Sequence, residues 1–202
     1  MGQLIDVARL ALPLLARNFR RARPFPHVAI DGFLAPEALA ELRAAFDWEQ
    51  HFPQQDDIYS FLASADPPRQ ALLRQFGEEL SQKPMRAAVE AITGRATTHA
   101  DVRGFVYLPG HYLLPHTDGR ASFRRAVAYV YYLDLLGPLR GGDLLLFKCS
   151  LRGEEVSRAK PTRRIVPKRN RLLLFEVTHA SLHQVREVLQ GARMSLAGWF
   201  IS

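Results

Sequence analysis

The chain has 202 residues, 48% of them hydrophobic and 23% charged, the balance of an ordinary soluble globular protein with enough length for one domain and an ample core. Its single cysteine, Cys149, excludes an internal disulfide framework and fits a reducing, cytoplasmic compartment. The net charge of +7 directs attention to acidic partners such as nucleic acid, ribosomes or anionic membrane, although solubility alone accounts for it as well.

No apolar run is long enough to span a bilayer. Near the N-terminus Leu4, Ile5, Val7, Leu10, Ala11, Leu14 and Leu15 form a helical apolar stripe, followed by Arg17, Arg20, Arg21 and Arg23. A secretory signal carries its charge ahead of the apolar stretch, so residues 1–23 read instead as an amphipathic helix kinked near Pro13, with a basic linker. Residues 24–95 read as one strand with supporting helices. HVAIDGFL is the strand, bounded by Pro24 and Pro26, and Pro36 suits the first turn of a helix through EALAELRAAF. The polar stretch from Asp47 to Asp57 reads as a loop able to lie over the mouth of a pocket. A helical region from Pro68 to Ile92 breaks near Pro84.

From Thr97 the pattern changes to short strands: ADVRGFVYL, HYLLPHTD, AVAYVYYLDL, GDLLLFKC, RRIVP, RLLLFEV, HQVREV and RMSLAGWFI. Strands of this kind separated by Gly, Pro and Asn predict a jelly roll or small barrel over 96–202, with the helices buttressing one outer face. The fold class is therefore α+β, mainly β. Gly141 and Gly142 fit a tight turn between two of the strands.

Within this half, His116 and Asp118 are two apart, so in an extended strand both project from one face while Thr117 points back. A second imidazole from a distant strand completes a two-histidine, one-carboxylate triad, which suits Fe(II) and leaves coordination positions open. His183 is the preferred third ligand, with His179 its competitor four residues earlier. Arg193 and Ser195 also share a strand face. An arginine directed into the interior needs a carboxylate partner, either from the protein or from a dicarboxylate ligand that its fork can grip. Tyr132 and Tyr107 can add hydroxyls, at the carboxylate and at the metal end of such a ligand, or serve as core tyrosines. Lys148, Arg152, Arg158, Lys160, Arg163, Arg164, Lys168, Arg169 and Arg171 read as a long basic connection, a docking element for an acidic peptide or ribosomal RNA or else a solvated loop.

HTD, RRAVAYVYYLD, GGDLLLF, Pro167 with NRLLLFE, SLHQV and RMSLAGWF, in that order, resemble the iron and 2-oxoglutarate-dependent dioxygenases, in particular the prolyl 4-hydroxylase-like branch. The opening PFPHVAIDGFL is similar to that branch too, including its ribosomal-protein hydroxylases, and the likeness runs from Phe25 to the C-terminus. The resemblance implies a double-stranded β-helix, iron ligands at His116, Asp118 and His183, and 2-oxoglutarate contacts at Arg193 with Tyr132, Tyr107 and Ser195. It implies Fe(II), 2-oxoglutarate and O2 as reactants, with ascorbate as an optional reductant. A carboxylate at Asp118 argues against the halogenating relatives. The reaction it implies is hydroxylation of an unactivated C–H bond of a prolyl or similar residue in a peptide or protein, with release of succinate and CO2. A free amino acid or natural-product intermediate is the alternative substrate. The alternative of another class is a non-catalytic basic β-barrel that binds an anionic partner.

Overall fold

The computed structural model describes residues 2–119 and 124–202. A 3-10 turn, Val7–Arg9, precedes α1 (Leu12–Arg21). Pro13 therefore starts a helix rather than kinking one: its missing N–H costs nothing in a first turn. Leu4 and Ile5 are buried without being helical, because the buried Glu79 carboxylate accepts their backbone N–H groups at 2.8–3.0 Å. Next come β1 (His27–Asp31) and α2 (Pro36–Trp48), as the prolines predict. The stretch expected to be a polar loop is instead half of a hairpin, β2 (His51–Asp56) and β3 (Tyr59–Ser64). Its polar and intermediate side chains suit a strand only partly covered by the protein. The helical region divides into α3 (Ala71–Ser81) and α4 (Lys83–Thr93), with Pro84 in the first turn of α4.

The remaining strands are β4 (His99–Ala100), β5 (Arg103–Tyr107), β6 (Tyr112–His116), β7 (Arg125–Gly141), β8 (Leu144–Arg152), β9 (Glu155–Ile165), β10 (Arg171–Glu176), β11 (His183–Val185) and β12 (Val188–Ile201). They follow the order β1-β10-β7-β12-β5-β3-β6-β11-β8-β9 in one curled antiparallel sheet, with β2 paired to β3 and β4 to β12. This is the jelly roll that the strand pattern predicts. The basic connection is a second correction: residues 148–165 are the long hairpin of β8 and β9, and only the turn after Ile165 is irregular.

Strand alternation divides the apolar side chains between two cores. On β7, Val127, Tyr129, Tyr131 and Leu133 pack toward the helices, with Leu42, Phe46, Phe76 and Val89. Ala128, Val130 and Tyr132 point the other way, into the roll, with Phe175, Leu144, Leu146 and Val185. Because both faces of β7 are covered, its sequence is a nearly continuous apolar run rather than an alternating one. Truncating a buried aromatic such as Phe76 or Phe200 to Ala is expected to cost about 3–5 kcal/mol. The second, interior core walls the functional cluster.

Candidate metal centre

β6 and β11 place the two histidines. His183 lies directly opposite His116 in the antiparallel register, so both rings project from the same face, with centroids 4.2 Å apart. Asp118, just past the end of β6, is 6% exposed. Its Oδ1 is 3.8 Å from Nε2 of His116 and its Oδ2 is 3.5 Å from Nε2 of His183. One ligand atom from each residue falls within 4.8 Å of the others, and among the described residues this is the one such group of His, Cys, Asp or Glu.

The second nitrogen of each ring fixes its orientation. Nδ1 of His116 is 2.9 Å from the carbonyl of Leu114, and Nδ1 of His183 is 2.9 Å from the carbonyl of Ser181. A carbonyl only accepts, so each Nδ1 carries a proton and each ring turns its Nε2 toward Asp118. Burial pushes the His116 pKa well down, with His183 adding to the effect and Asp118 opposing it, so the ring is neutral around pH 7. Two lone pairs and one carboxylate facing a shared point is a donor set that fits a divalent cation such as Fe(II). Phe175 stands edge-on to His183, with ring centroids 4.8 Å apart. His179 is not part of the cluster: its Nε2 lies 3.7 Å from Oε1 of Glu154, and its side chain is 39% exposed.

Arg193 faces the same interior. It is 2% exposed and donates one hydrogen bond, from Nη1 to the carbonyl of Gly142 at 3.0 Å. Gly141 and Gly142 form the predicted tight turn with φ of +79° and +68°, and a Cβ on Gly141 would meet the Glu187 carbonyl oxygen at 1.9 Å. The rings of Tyr107 and Tyr132 each lie 4.9 Å from the guanidinium carbon. Register explains this grouping, since Arg193 pairs with Tyr107 on β5 and Ser195 with Tyr132 on β7. No carboxylate among the described residues pairs with Arg193, and its Nε, the Tyr132 hydroxyl and Ser195 Oγ are buried without a hydrogen-bond partner. Burial raises the pKa of both tyrosines, that of Tyr107 to about 12, so their hydroxyls keep their protons. An unpaired N–H of a buried guanidinium and two orphaned hydroxyls beside it fit the far carboxylate of a dicarboxylate such as 2-oxoglutarate.

Several neighbours escaped the sequence reading. Arg125 Nη1 comes within 4.0 Å of Asp118, and its guanidinium stacks 3.5 Å from the Trp199 ring. The parity of β12, in which Arg193, Ser195, Ala197 and Trp199 alternate onto one face, was the signal available for Trp199. Asp143, beside the Gly turn, is buried and pairs with Arg164 at 2.9 Å and Arg186 at 3.5 Å. Its partners are remote in sequence, so no local pattern marks it.

Comparison with known proteins agrees with this geometry. Residues 102–201 match the model of the 2OG-Fe(II) oxygenase superfamily, whose members use Fe(II), 2-oxoglutarate and O2. Prolyl 3-hydroxylase OGFOD1 of Xenopus laevis is 28% identical over 190 residues, which cover 88% of this chain and 35% of that protein. The chain thus spans about a third of the length of the curated relatives it matches. Among solved structures, a Pseudomonas putida prolyl-4-hydroxylase superposes with a TM-score of 0.70 at 23% identity, covering 93% of this chain and 98% of that one. A Trichoplax adhaerens prolyl hydroxylase, in complex with a peptide fragment of the hypoxia inducible factor oxygen degradation domain, gives 0.67 at 17% identity over 94% and 90%. These likenesses show a shared fold, and the family match sets aside the non-catalytic barrel. Residues 102–201 thus carry a 2OG-Fe(II) oxygenase domain.

Proposed function

We propose that this chain is an Fe(II)- and 2-oxoglutarate-dependent dioxygenase that hydroxylates a prolyl or similar residue in a peptide or protein, and that residues 1–202 act as a single catalytic domain. One observation carries the reading. Two imidazoles and a carboxylate converge on one point, inside the same roll that buries a guanidinium without a carboxylate of its own.

In this reading His116 and His183 present Nε2 lone pairs, and Asp118 supplies the negative charge that offsets a divalent cation. Arg193 binds the C5 carboxylate of 2-oxoglutarate, with Tyr132 and Ser195 donating to the same oxygens and the Tyr107 ring holding the guanidinium in place. The apolar wall of Val130, Leu146, Phe175 and Val185 keeps water from the interior. Bound Fe(II) with 2-oxoglutarate and O2 supplies the oxidation of an unactivated C–H bond, the cosubstrate leaving as succinate and CO2. A surface cavity of about 560 Å³, lined by Gly119, Arg124, Arg125, Thr178 and His179, adjoins the cluster and gives an extended polypeptide room to lie across it. The prolyl substrates named for the relatives support this class. No helix among the described residues is long and apolar enough to cross a membrane. We also place the chain in the cytoplasm, in keeping with its single free thiol, and set its basic 148–171 segment against an acidic partner.

The test is anaerobic loading with Fe(II), followed by 2-oxoglutarate-dependent succinate release and a mass-spectrometric search for proline-containing peptides that gain one oxygen atom. Absence of metal binding together with absence of both uncoupled and peptide-stimulated succinate release would sink the proposal.

A further inference from the structure

Of the nine basic residues between Lys148 and Arg171, four are held by the protein's own carboxylates. Arg164 pairs with Asp143, Lys168 and Arg171 with Asp31, and Arg169 with Asp134. Lys148, Arg152, Arg158, Lys160 and Arg163 have no such partner among the described residues. Four of these five lie along the outer part of the β8–β9 hairpin, whose side chains are exposed from Ser157 to Arg164. Lys148 stands directly opposite Lys160, and Ser150 opposite Arg158, so Lys148, Arg158 and Lys160 share one face. Like charges placed directly across a pair of strands repel.

The hairpin also has a definite position. Phe147 N–H donates to the Leu182 carbonyl at 3.0 Å, which lays β8 along the loop leading to His183. At the hairpin's turn, Glu154 reaches His179, a lining residue of the cavity beside Asp118. The cationic strip therefore begins at the rim of the candidate active site. Arg124 and Arg95, the latter paired with Glu176, also line that cavity.

We infer that the outer face of the β8–β9 hairpin is a docking strip for acidic residues that flank the target residue of a polypeptide substrate. This rests on the peptide-hydroxylase reading and adds a sequence preference to it. Side chains rather than the free edge of β9 make the contact. Pro161 removes an N–H from that edge, and register shifts at Leu146/Phe147 and Ser150/Leu151 bend the hairpin, features that discourage pairing with a further strand. The exposed outer face carries no aromatic ring, so single-stranded nucleic acid finds no surface on which to stack its bases.

Two peptides separate these outcomes, each with a central proline and a neutral fluorophore, one flanked by Asp and Glu and the other by Asn and Gln at the same positions. Fluorescence anisotropy at about 50 mM salt is expected to show the acidic peptide binding about tenfold more tightly, the yield of a few exposed ion pairs. Raising the salt to about 300 mM should bring the two peptides near parity. The R152S/R158S/K160S variant should do the same at low salt, and these exposed positions leave its folding, read by circular dichroism, unaffected. Equal affinities in the parent protein would overturn the inference. So would a preference that survives in the triple variant, or an oligouridine that binds more tightly than the acidic peptide and displaces it. Succinate release is measured separately, so a failure of catalysis and a failure of docking show in different signals.

Discussion

The two polar ends of the interior solve opposite problems. At the histidine end every group has a neighbour: each Nδ1 meets a backbone carbonyl, and Asp118 has an imidazole on either side with Arg125 beyond. At the arginine end a buried cation has one carbonyl and two aromatic rings, and its own Nε and the hydroxyls of Tyr132 and Ser195 are unpaired. The first end is preorganised for a cation, because its lone pairs are aimed before anything binds. The second leaves the protein with an uncompensated charge that an anion would relieve. At each end, therefore, the protein holds converging polar groups at a cost in stability that a ligand of the opposite charge would relieve.

The largest expected effect follows from breaking the histidine end. Asp118→Ala removes the carboxylate that faces both Nε2 atoms, and turnover should drop below about 1% of the parent rate, since even changes to groups that only support a metal ligand cost about 10–100-fold. Loss of metal binding, read by equilibrium dialysis with retained circular dichroism, would confirm the cause. His183→Ala should behave likewise and His179→Ala should not. The reverse pattern would move the centre to the other histidine.

Arg193 sharpens the contrast. Arg193→Lys loses the planar fork, and the 2-oxoglutarate KM should rise about 10–100-fold with metal affinity little changed. Arg193→Met separates folding stability from cosubstrate binding. It removes an unpaired buried charge and should raise folding stability without ligand by about 1–4 kcal/mol, while abolishing the Tm rise that 2-oxoglutarate produces in the parent. A destabilised Arg193→Met would show that the guanidinium is already satisfied. Tyr132→Phe tests the same idea more gently: deleting an orphaned hydroxyl should leave Tm unchanged or slightly raised and weaken 2-oxoglutarate about two- to tenfold.

How much of this was legible in the sequence depended on whether the signal was local. The two-residue period made His116 with Asp118, and Arg193 with Ser195, readable as shared faces, and prolines marked α2 and α4. The pairing of His116 with His183 rests on antiparallel register across 67 positions of chain, which no local period encodes. Two elements misled for a physical reason. Strands β2 and β9 carry polar and basic side chains because each pairs on one side only, at a margin of the sheet, so the apolar alternation that betrays a strand is missing. The N-terminal stripe looked helical from Leu4 because it is apolar, but Glu79 captures that segment in extended form.

The smallest effect, and the one that tests the difference in proton affinity between folded and unfolded chains, is the acid limb of stability. Burial lowers the pKa of His27, His51 and His116 from the ordinary 6.5, that of His116 to about 4. Below about pH 6.5 the unfolded chain takes up protons that the folded one refuses, so stability is full above that value and falls progressively as pH drops toward 4. Metal at His116 and His183 requires neutral rings and so deepens the fall, because protons compete for the same Nε2 lone pairs. Tm measured from pH 8 to 5 should decline on the acid side with and without a divalent cation, and the cation's added stabilisation should shrink over the same range. A cation effect independent of pH would count against imidazole ligation, while an apo Tm that is flat below pH 6.5 would mean that these three rings are less shielded from water than their packing indicates.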